Sequence, residues 1–320
     1  MTNHPSIAGI PLVLGGNVFG WTANGDEGRA VLDAFYEAGG RMIDTADVYS
    51  AWIPGHVGGE SESFIGEWLE SRGVRGDMRI HTKTGMLPRG GGQHTFGSEG
   101  DPTLYEPGEV AISLDASLQR LRTDYLDLYY AHRDYTQLLA EHIVQAFDAT
   151  VKSGKVREIG ASNFTADRLS AALDAADARG LTPFTVLQNQ YNLVGREDYG
   201  PELQRLCTSR GMAMLPFFGL ASGYLTGKYR KPEDFEQGNR AHRVKDFDEA
   251  GRPILAAMDK IAAEAGATLP AIALAWLVRQ PGIPAPIASA RTVEQLEQML
   301  EFTRLELSDE QLDRLTAAGA

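Results

Sequence analysis

The chain has 320 residues, 43% of them hydrophobic, and a formal net charge of −13. This acidic balance argues against nucleic acid as a partner, because the phosphates of nucleic acids demand a basic surface. No apolar run reaches the ~18 residues that a membrane span needs. Residues 1–10 lack the basic and apolar regions of a signal peptide, and Cys207 is the single cysteine. We therefore predict a cytoplasmic protein without a nucleic-acid or membrane partner.

Short apolar segments rich in strand-forming residues alternate with amphipathic segments along the whole chain. The segments predicted as strands are 11–14, 41–44, 79–82, 126–130, 156–159, 185–188, 212–217 and 286–289. Between them, hydrophobic residues recur at helical spacing, as Phe64, Trp68 and Leu69 do after the second strand. Thr165 has the character of a helix N-cap, and residues 270–280 are apolar on nearly all sides, which indicates a buried helix.

Eight strands that alternate with helices predict a parallel sheet of the α/β class. Because no long linker or change of composition divides them, we predict a single domain, residues 1–320, folded as a (β/α)8 TIM barrel. An open doubly wound sheet is disfavoured, since residues 14–20 lack the G-x-G-x-x-G spacing and an immediate helix. Three long loops, 49–60, 85–107 and 219–252, follow strands and are expected at the C-terminal mouth of the barrel.

Four polar side chains follow three neighbouring predicted strands. Asp44 ends the second strand and Tyr49 lies in the loop after it, whereas Lys83 and His132 follow the third and fourth strands. Singly, each has an ordinary structural explanation, such as a loop cap, a packing anchor or a solvated surface group. In a barrel these strands are neighbours, so the four side chains are expected to converge on one mouth.

These side chains suit the delivery of a proton to a carbonyl oxygen. A free phenol has a pKa of about 10 and donates poorly at neutral pH, whereas a nearby ammonium favours the phenolate. We predict that Tyr49 donates the proton, that Lys83 stabilises the phenolate, and that Asp44 keeps Lys83 charged and aimed. His132 is predicted to orient the carbonyl by a hydrogen bond. This chemistry requires no metal, but it requires a hydride source and hence a nicotinamide cofactor.

Ordered sequence blocks give the chain a specific resemblance to a known superfamily. They are DTADVY at 44–49, GESE at 59–62, TK at 82–83, DYLDLYYAH at 124–132, GASNF at 160–164, QNQYNL at 188–193, LASGYLTGKY at 220–229 and IASAR at 287–291. With these blocks the chain, from about residue 11 to residue 302, resembles the aldo-keto reductase superfamily. The resemblance implies an NADP(H)-dependent barrel enzyme that reduces aldehydes or ketones, with the catalytic tetrad Asp44, Tyr49, Lys83 and His132.

The resemblance also implies contacts to NADP(H). The positions matched to the nicotinamide are Ser162, Asn163, Gln188 and Phe217. Those matched to the pyrophosphate are Leu220, Ser222, Gly223 and Lys228, and those at the adenosine end are Ser289, Arg291 and Gln295. Hydroxyl, amide and guanidinium groups suit a carboxamide and a 2′-phosphate, so the residue types agree with the family positions.

Two departures from the family pattern leave the preference for NADP over NAD open. Phe218 and Gly219 replace the usual Ser-Pro, and Met299 stands where an asparagine is common near the adenine. The chain also ends at Ala320, without the longer C-terminal loop of many members. We therefore expect an open substrate pocket, shaped by loop 85–107 and by the aromatic residues Phe19, Trp21 and Trp52.

The partner implied for this pocket is a small carbonyl or alcohol molecule, and we expect a monomer or a weak homo-oligomer. Two other functions compete with an NADP-dependent reductase. The same superfamily includes cofactor-binding regulatory subunits of channels, which keep the fold and can keep the tetrad. A metal-dependent barrel hydrolase is disfavoured, because the seven histidines supply no paired ligand motif.

Overall fold

Eight parallel strands form one sheet in the computed structural model, which describes residues 4–94, 100–236 and 244–319. The strands are β1 (Val13–Gly15), β2 (Met42–Asp44), β3 (Arg79–Thr84), β4 (Leu126–Ala131), β5 (Val156–Ser162), β6 (Val186–Gln188), β7 (Ala213–Met214) and β8 (Ile287–Ala288). They pair in the order β7-β6-β5-β4-β3-β2-β1-β8. The predicted strands are thus confirmed, but β7 is shorter than expected, because Pro216 lacks an N–H and Phe217 forms only an isolated bridge with Gln190.

Backbone hydrogen bonds also join the two ends of this sheet. The N–H of Ile287 in β8 donates to the carbonyl of Pro216, just after β7, at 2.9 Å. The N–H of Met214 in β7 donates to the carbonyl of Gly282, ahead of β8, at 2.8 Å. The curled parallel sheet is therefore consistent with the predicted α/β barrel.

Helices follow the strands along the chain. They are α1 (Gly25–Glu37), α2 (Glu60–Arg72), α3 (Pro107–Leu121), α4 (Ala140–Lys152), α5 (Ala166–Arg179), α6 (Pro201–Ser209), α7 (Asp248–Ala265), α8 (Leu269–Leu277), α9 (Val293–Leu300) and α10 (Asp309–Ala318). Thr165 caps α5 by accepting the N–H of Arg168, as predicted. Helix α8 is buried on all sides, which confirms the prediction from its continuous apolar sequence.

The inward side chains of the strands change from apolar to polar towards one end of the sheet. One buried cluster contains Val13, Met42, Leu128, Tyr130, Val186, Ala213, Leu215, Ala285 and Ile287. Since side chains alternate along a strand, the residue two positions after an inward apolar residue faces inward again. Asp44 follows Met42, and Gln188 follows Val186, in this way. The carboxyl ends of the strands thus carry polar groups above an apolar floor.

The predicted long loops are partly corrected. Loop 85–107 contains a 3-10 helix at Pro102–Tyr105, and loop 219–252 ends early because α7 begins at Asp248. Residues 95–99 and 237–243 of these loops lie outside the described residues. Cys207, on α6, is buried, and burial raises the pKa of its thiol to about 12. It is therefore a core residue rather than a nucleophile.

The described segments contain no single helix that is long and apolar enough to cross a membrane. The pair Lys245–Ala265 and Leu269–Leu277 meets that criterion only jointly, and it is bent by 102°.

Gly66 allows α2 to approach the end of α3 closely. A Cβ at this position would lie 2.2 Å from the carbonyl oxygen of Arg120 and 2.7 Å from the carbonyl carbon of Leu121. We expect Gly66→Ala to lower the free energy of unfolding by about 2 kcal/mol, because two backbones would have to separate. Gly108→Ala, in the first turn of α3, is the matched control, since nothing lies within 4 Å of its added Cβ. Urea denaturation of both variants tests this, and equal stabilities would contradict the packing argument.

Candidate active site

Lys83 is the centre of the polar group at the carboxyl ends of the strands. Its buried ammonium donates to Asp44 Oδ2 at 2.6 Å, to Tyr49 Oη at 2.8 Å and to the carbonyl oxygen of Thr45 at 2.8 Å. These acceptors use the three hydrogens that an ammonium carries. The structure therefore brings together the predicted acid, phenol and amine, and it adds a backbone carbonyl as a fourth member.

The charges around Lys83 act in opposite directions. Burial lowers the pKa of Lys83 below its usual value, whereas the Asp44 carboxylate opposes that change by attraction and by a hydrogen bond. The loop after β2 turns back on itself, since the N–H of Tyr49 donates to the carbonyl of Ala46 at 3.1 Å. This turn places Tyr49 Oη 3.5 Å from Asp44 Oδ2, so the shorter contact of the phenol is the one with Lys83.

His132 lies beside this group, just after β4. Its ring centroid is 6.0 Å from that of Tyr49. Burial, and next the positive charge of Lys83, hold the pKa of His132 well below its usual range, so the imidazole is neutral at neutral pH. Nδ1 of His132 has no hydrogen-bond partner among the described residues. A neutral ring next to the phenol is suited to donate a hydrogen bond to a carbonyl oxygen.

The positions matched to the nicotinamide connect directly to this group. Gln188 Nε2 donates to Asp44 Oδ1 at 2.9 Å, across 144 residues of sequence. Asn163 adopts a positive φ of 61°, and its Nδ2 donates to Ser162 Oγ and to the carbonyl of His132, both at 3.0 Å. Ser162, Asn163 and Gln188 therefore line the same mouth as the tetrad.

The loop after β7 carries an unusual backbone. Phe217 is half-buried, and its ring packs on Phe218 with centroids 5.1 Å apart. Beyond Leu220, the next three residues, Ala221, Ser222 and Gly223, have φ values of 47°, 56° and 97°. The N–H groups of Ala221 and Gly223 close this turn, since they donate to the carbonyls of Phe218 at 2.7 Å and of Leu220 at 2.8 Å. Lys228 is exposed, and its ammonium lies beside Gly223, where an added Cβ would be 3.2 Å from Nζ.

The residues matched to the adenosine end lie at the start of α9. Ser289 Oγ donates to Asn17 Oδ1 at 2.7 Å. The side chain of Arg291 is exposed, while its backbone N–H donates to Gln295 Oε1 at 3.0 Å. Thr292 caps the helix by accepting the N–H of Gln295. Gln295 therefore helps to begin the helix, and Arg291 is the exposed cation at its N-terminus.

The predicted pocket aromatics do not all lie on the same surface. Trp52 contacts Tyr49 edge to face with ring centroids 6.0 Å apart, and Trp21 contacts Trp52 in the same manner at 5.8 Å. Phe19 requires a correction, because it is fully buried and its ring stacks on Phe64 of α2 at 5.5 Å. It packs in the core because α2 presents an apolar face to it.

Several residues of the site were missed at the sequence level. The carbonyl of Thr45 gives no signal, because every residue has one. Asn17 follows β1, so the rule that places polar residues at strand ends indicates it. Asp47 and Glu62 lie in the sequence blocks DTADVY and GESE, but nothing in the sequence indicated that their carboxylates would lie near Lys83. Within the described residues, no group of three or more His, Cys, Asp or Glu residues could hold a metal ion.

A buried lysine is joined to an acid and a phenol, beside a neutral imidazole, at the strand ends of a parallel sheet consistent with an α/β barrel. This arrangement suits proton transfer to a carbonyl group, as an oxidoreductase acting on carbonyls requires. The chain belongs to the Aldo/keto reductase family, whose sequence profile matches residues 11–320.

Curated relatives agree with this membership. The chain is 36% identical over 317 residues to a norsolorinic acid reductase of Emericella nidulans, which covers 96% of this chain and 78% of the relative. It is 33% identical over 295 residues to the aryl-alcohol dehydrogenase [NADP(+)] of Phanerodontia chrysosporium, covering 89% and 74%. A putative aryl-alcohol dehydrogenase of Saccharomyces cerevisiae is 32% identical over 322 residues, covering 95% and 82%. Family and relatives support an oxidoreductase that reduces carbonyl groups.

Proposed function

We propose that this protein reduces aldehydes and ketones to alcohols with NADPH, and that Tyr49 supplies the proton. The observation that carries the proposal is the position of the Lys83 ammonium, 2.8 Å from Tyr49 Oη and 2.6 Å from Asp44 Oδ2. An ammonium held on a phenol oxygen stabilises the phenolate that forms when the proton leaves. The carboxylate of Asp44 balances the positive charge of the ammonium before the proton is transferred.

Each residue of the tetrad has one part in this chemistry. The cofactor, when bound, supplies the hydride to the carbonyl carbon. Tyr49 Oη then gives its proton to the carbonyl oxygen, which becomes the hydroxyl of the alcohol. Lys83 Nζ stabilises the phenolate, and Asp44 holds Lys83 charged and aimed. His132, neutral because it is buried, donates a hydrogen bond that orients the carbonyl.

The residues at the mouth fit NADP(H). Ser162, Asn163 and Gln188 offer the hydroxyl and amide groups that a carboxamide needs, and the half-buried ring of Phe217 offers a face for the nicotinamide. In the turn after Leu220, the hydroxyl of Ser222 and the exposed ammonium of Lys228 offer a hydrogen-bond donor and a positive charge to a pyrophosphate. Ser289, Arg291 and Gln295 would hold the 2′-phosphate and adenosine.

Arg291 is the test of the preference for NADP. We expect Arg291→Ala to weaken NADPH binding by roughly tenfold to a hundredfold, because a charge-assisted hydrogen bond to the 2′-phosphate is lost. NADH, which lacks that phosphate, should bind within about twofold of its original affinity. Fluorescence titration of the two cofactors measures this difference. Equal losses for NADPH and NADH would show that Arg291 does not contact the 2′-phosphate.

An aromatic carbonyl is the substrate class that the pocket supports. Two of the relatives are named for aryl alcohols and one for norsolorinic acid. In this chain Trp21 and Trp52 extend an aromatic wall from Tyr49, and such rings favour edge or offset contacts with a flat substrate. We further propose a single closed (β/α)8 domain that acts in the cytoplasm as a monomer or weak homo-oligomer.

A paired substrate screen tests this function. NADPH absorbance is followed with benzaldehyde and with cyclohexanecarbaldehyde, which has a saturated ring of the same size, and NADH is run alongside. We expect NADPH-dependent turnover of both, with a higher kcat/KM for benzaldehyde. A chain that binds NADPH and reduces no member of a wider aldehyde and ketone panel would instead favour the cofactor-binding regulatory subunit.

A further inference from the structure

A second group of buried charges lies on the other side of β3 from the Lys83 side chain. It contains Asp47 from the loop after β2, Glu62 from α2 and Arg120 from α3. Thr84 Oγ1 donates to Asp47 Oδ2 at 2.7 Å, and Arg120 Nε donates to Glu62 Oε2 at 2.6 Å. Asp47 is 2% exposed and Glu62 is fully buried, so water does not screen these charges well.

Asp47 fastens the turn that carries Tyr49 to the strand that carries Lys83. Its backbone N–H donates to the carbonyl of Lys83 at 3.2 Å, and its carboxylate accepts the hydroxyl of the next residue, Thr84. Tyr49 follows Asp47 by two positions in the same turn. The separation of the phenol from the ammonium therefore depends on both contacts of Asp47.

The charge of Asp47 changes near neutral pH. Burial, and then repulsion from Glu62, raise the pKa of Asp47 to about 7, although Thr84 and Arg120 oppose this. The Oδ1 atom of Asp47 has no hydrogen-bond partner among the described residues, which also disfavours the ionised form. The cluster therefore gains a negative charge as the pH rises through about 7.

The other ionisable groups that face Asp47 come from three neighbouring elements. They are Lys83 on β3, Tyr129 on β4 and Tyr105 in the 3-10 helix ahead of α3. Burial holds the pKa of both phenols well above the usual value, so neither ionises near neutral pH. The negative charge of Asp47 favours the ammonium of Lys83.

We propose that Asp47 is a positioning residue that fastens Tyr49 to Lys83 and whose charge sets the pH range in which this pair exchanges its proton. The proposal rests on the proposed function of the same site. A negative charge makes proton loss from its neighbours harder, so removing it makes proton loss from the Tyr49–Lys83 pair easier. Above neutral pH the ionised Asp47 therefore keeps the pair protonated and able to donate.

The test compares the pH dependence of kcat for the native chain and for Asp47→Asn. Asparagine keeps an oxygen that can accept the Thr84 hydroxyl, so only the charge is removed. Below about pH 6 the native Asp47 is mostly protonated, and we expect the two profiles to coincide. At higher pH the reductase activity of Asp47→Asn should fall earlier, by roughly one pH unit, because its proton donor ionises more easily.

Substitutions at two neighbouring residues should change the pH at which the kcat profile departs from that of Asp47→Asn, and they should change it in opposite directions. Thr84→Val removes a hydrogen bond that lowers the pKa of Asp47, so its profile should depart from that of Asp47→Asn at a higher pH. Glu62→Gln removes the repulsion that raises this pKa, so the departure should come at a lower pH. Its profile is compared with that of the double variant Asp47→Asn/Glu62→Gln, because the charge of Glu62 also favours the ammonium of Lys83. If Asp47 had only a structural role, each variant would change kcat by the same factor at every pH. The pH at which the profiles separate would then not move in opposite directions for the two variants.

A titration without turnover separates this inference from the proposed function. The tyrosinate absorbance of each protein, minus that of the same protein with Tyr49→Phe, reports the ionisation of Tyr49 alone. We expect Asp47→Asn to move this ionisation to lower pH. If Asp47→Asn does not fold, Thr84→Val, which keeps Asp47 uncharged to a higher pH, is compared with the native chain, and a shift in the same direction is expected. Superimposable titrations would overturn the role of Asp47 even if the chain reduces carbonyls. A shifted titration in a chain that reduces none would overturn only the proposed function.

Discussion

Replacing Tyr49 by phenylalanine is expected to lower kcat for carbonyl reduction by about a thousandfold, because a positioned general acid contributes roughly 10²–10⁴ to the rate. The ring that contacts Trp52 and His132 remains, so the pocket keeps its shape. NADPH affinity should stay within about twofold, since the hydroxyl donates a proton in the transition state and does not hold the cofactor. Steady-state kinetics and fluorescence titration of NADPH together measure both quantities.

Tyr36→Phe is the matched control for this substitution. Tyr36, on α1, donates its hydroxyl to Asp77 at 2.7 Å in an exposed contact on the outside of the sheet. Its removal should leave kcat unchanged within experimental error. If Tyr49→Phe kept near-native turnover, or lost NADPH binding along with activity, Tyr49 would not be the proton donor.

Lys83→Met is expected to have an effect of similar size on kcat, and also to destabilise the fold. Methionine is apolar and of similar length, so the phenolate of Tyr49 would lose the ammonium that lies 2.8 Å away. Asp44 would then lose its 2.6 Å partner and remain as a buried charge, at a cost of about 3–5 kcal/mol in the free energy of unfolding. Denaturant unfolding and turnover at saturating NADPH measure the two effects.

A double variant separates the catalytic from the structural effect of Lys83. Adding Asp44→Asn to Lys83→Met removes the unpaired charge, so most of the lost stability should return. Activity should not return, because the phenolate still lacks its ammonium. Recovery of turnover in the double variant would mean that Lys83 serves only to neutralise Asp44.

The strands and the tetrad could be predicted from the sequence because both follow from short-range rules. A period of two along each strand fixes which residues point inward, and parallel strands bring their carboxyl ends to one edge. Asp44 ends β2, Lys83 lies near the end of β3 and His132 follows β4, so their convergence required only the order of the strands. Tyr49 was harder, and its position depends on the turn closed by the N–H of Tyr49 on Ala46.

Other features depend on packing that local patterns do not encode. Phe19 was predicted to line the pocket with the two tryptophans, but its ring stacks on Phe64. A single sequence does not distinguish an aromatic ring in the core from one in the wall of a pocket. The hydrogen bond from Gln188 to Asp44 joins residues 144 positions apart. The contact of Asp47 with Thr84 likewise depends on how the loop after β2 returns to β3.

The transfer of a labelled hydride tests the central claim most directly. Benzaldehyde is incubated with NADPH in which both hydrogens at C4 of the nicotinamide are replaced by deuterium, and the alcohol is analysed by mass spectrometry. The native chain should form benzyl alcohol with one deuterium on the carbinol carbon, and Tyr49→Phe, with NADPH bound, should form almost none. Alcohol without the label, or equal yields from the two proteins, would contradict reduction by NADPH with Tyr49 as the proton donor.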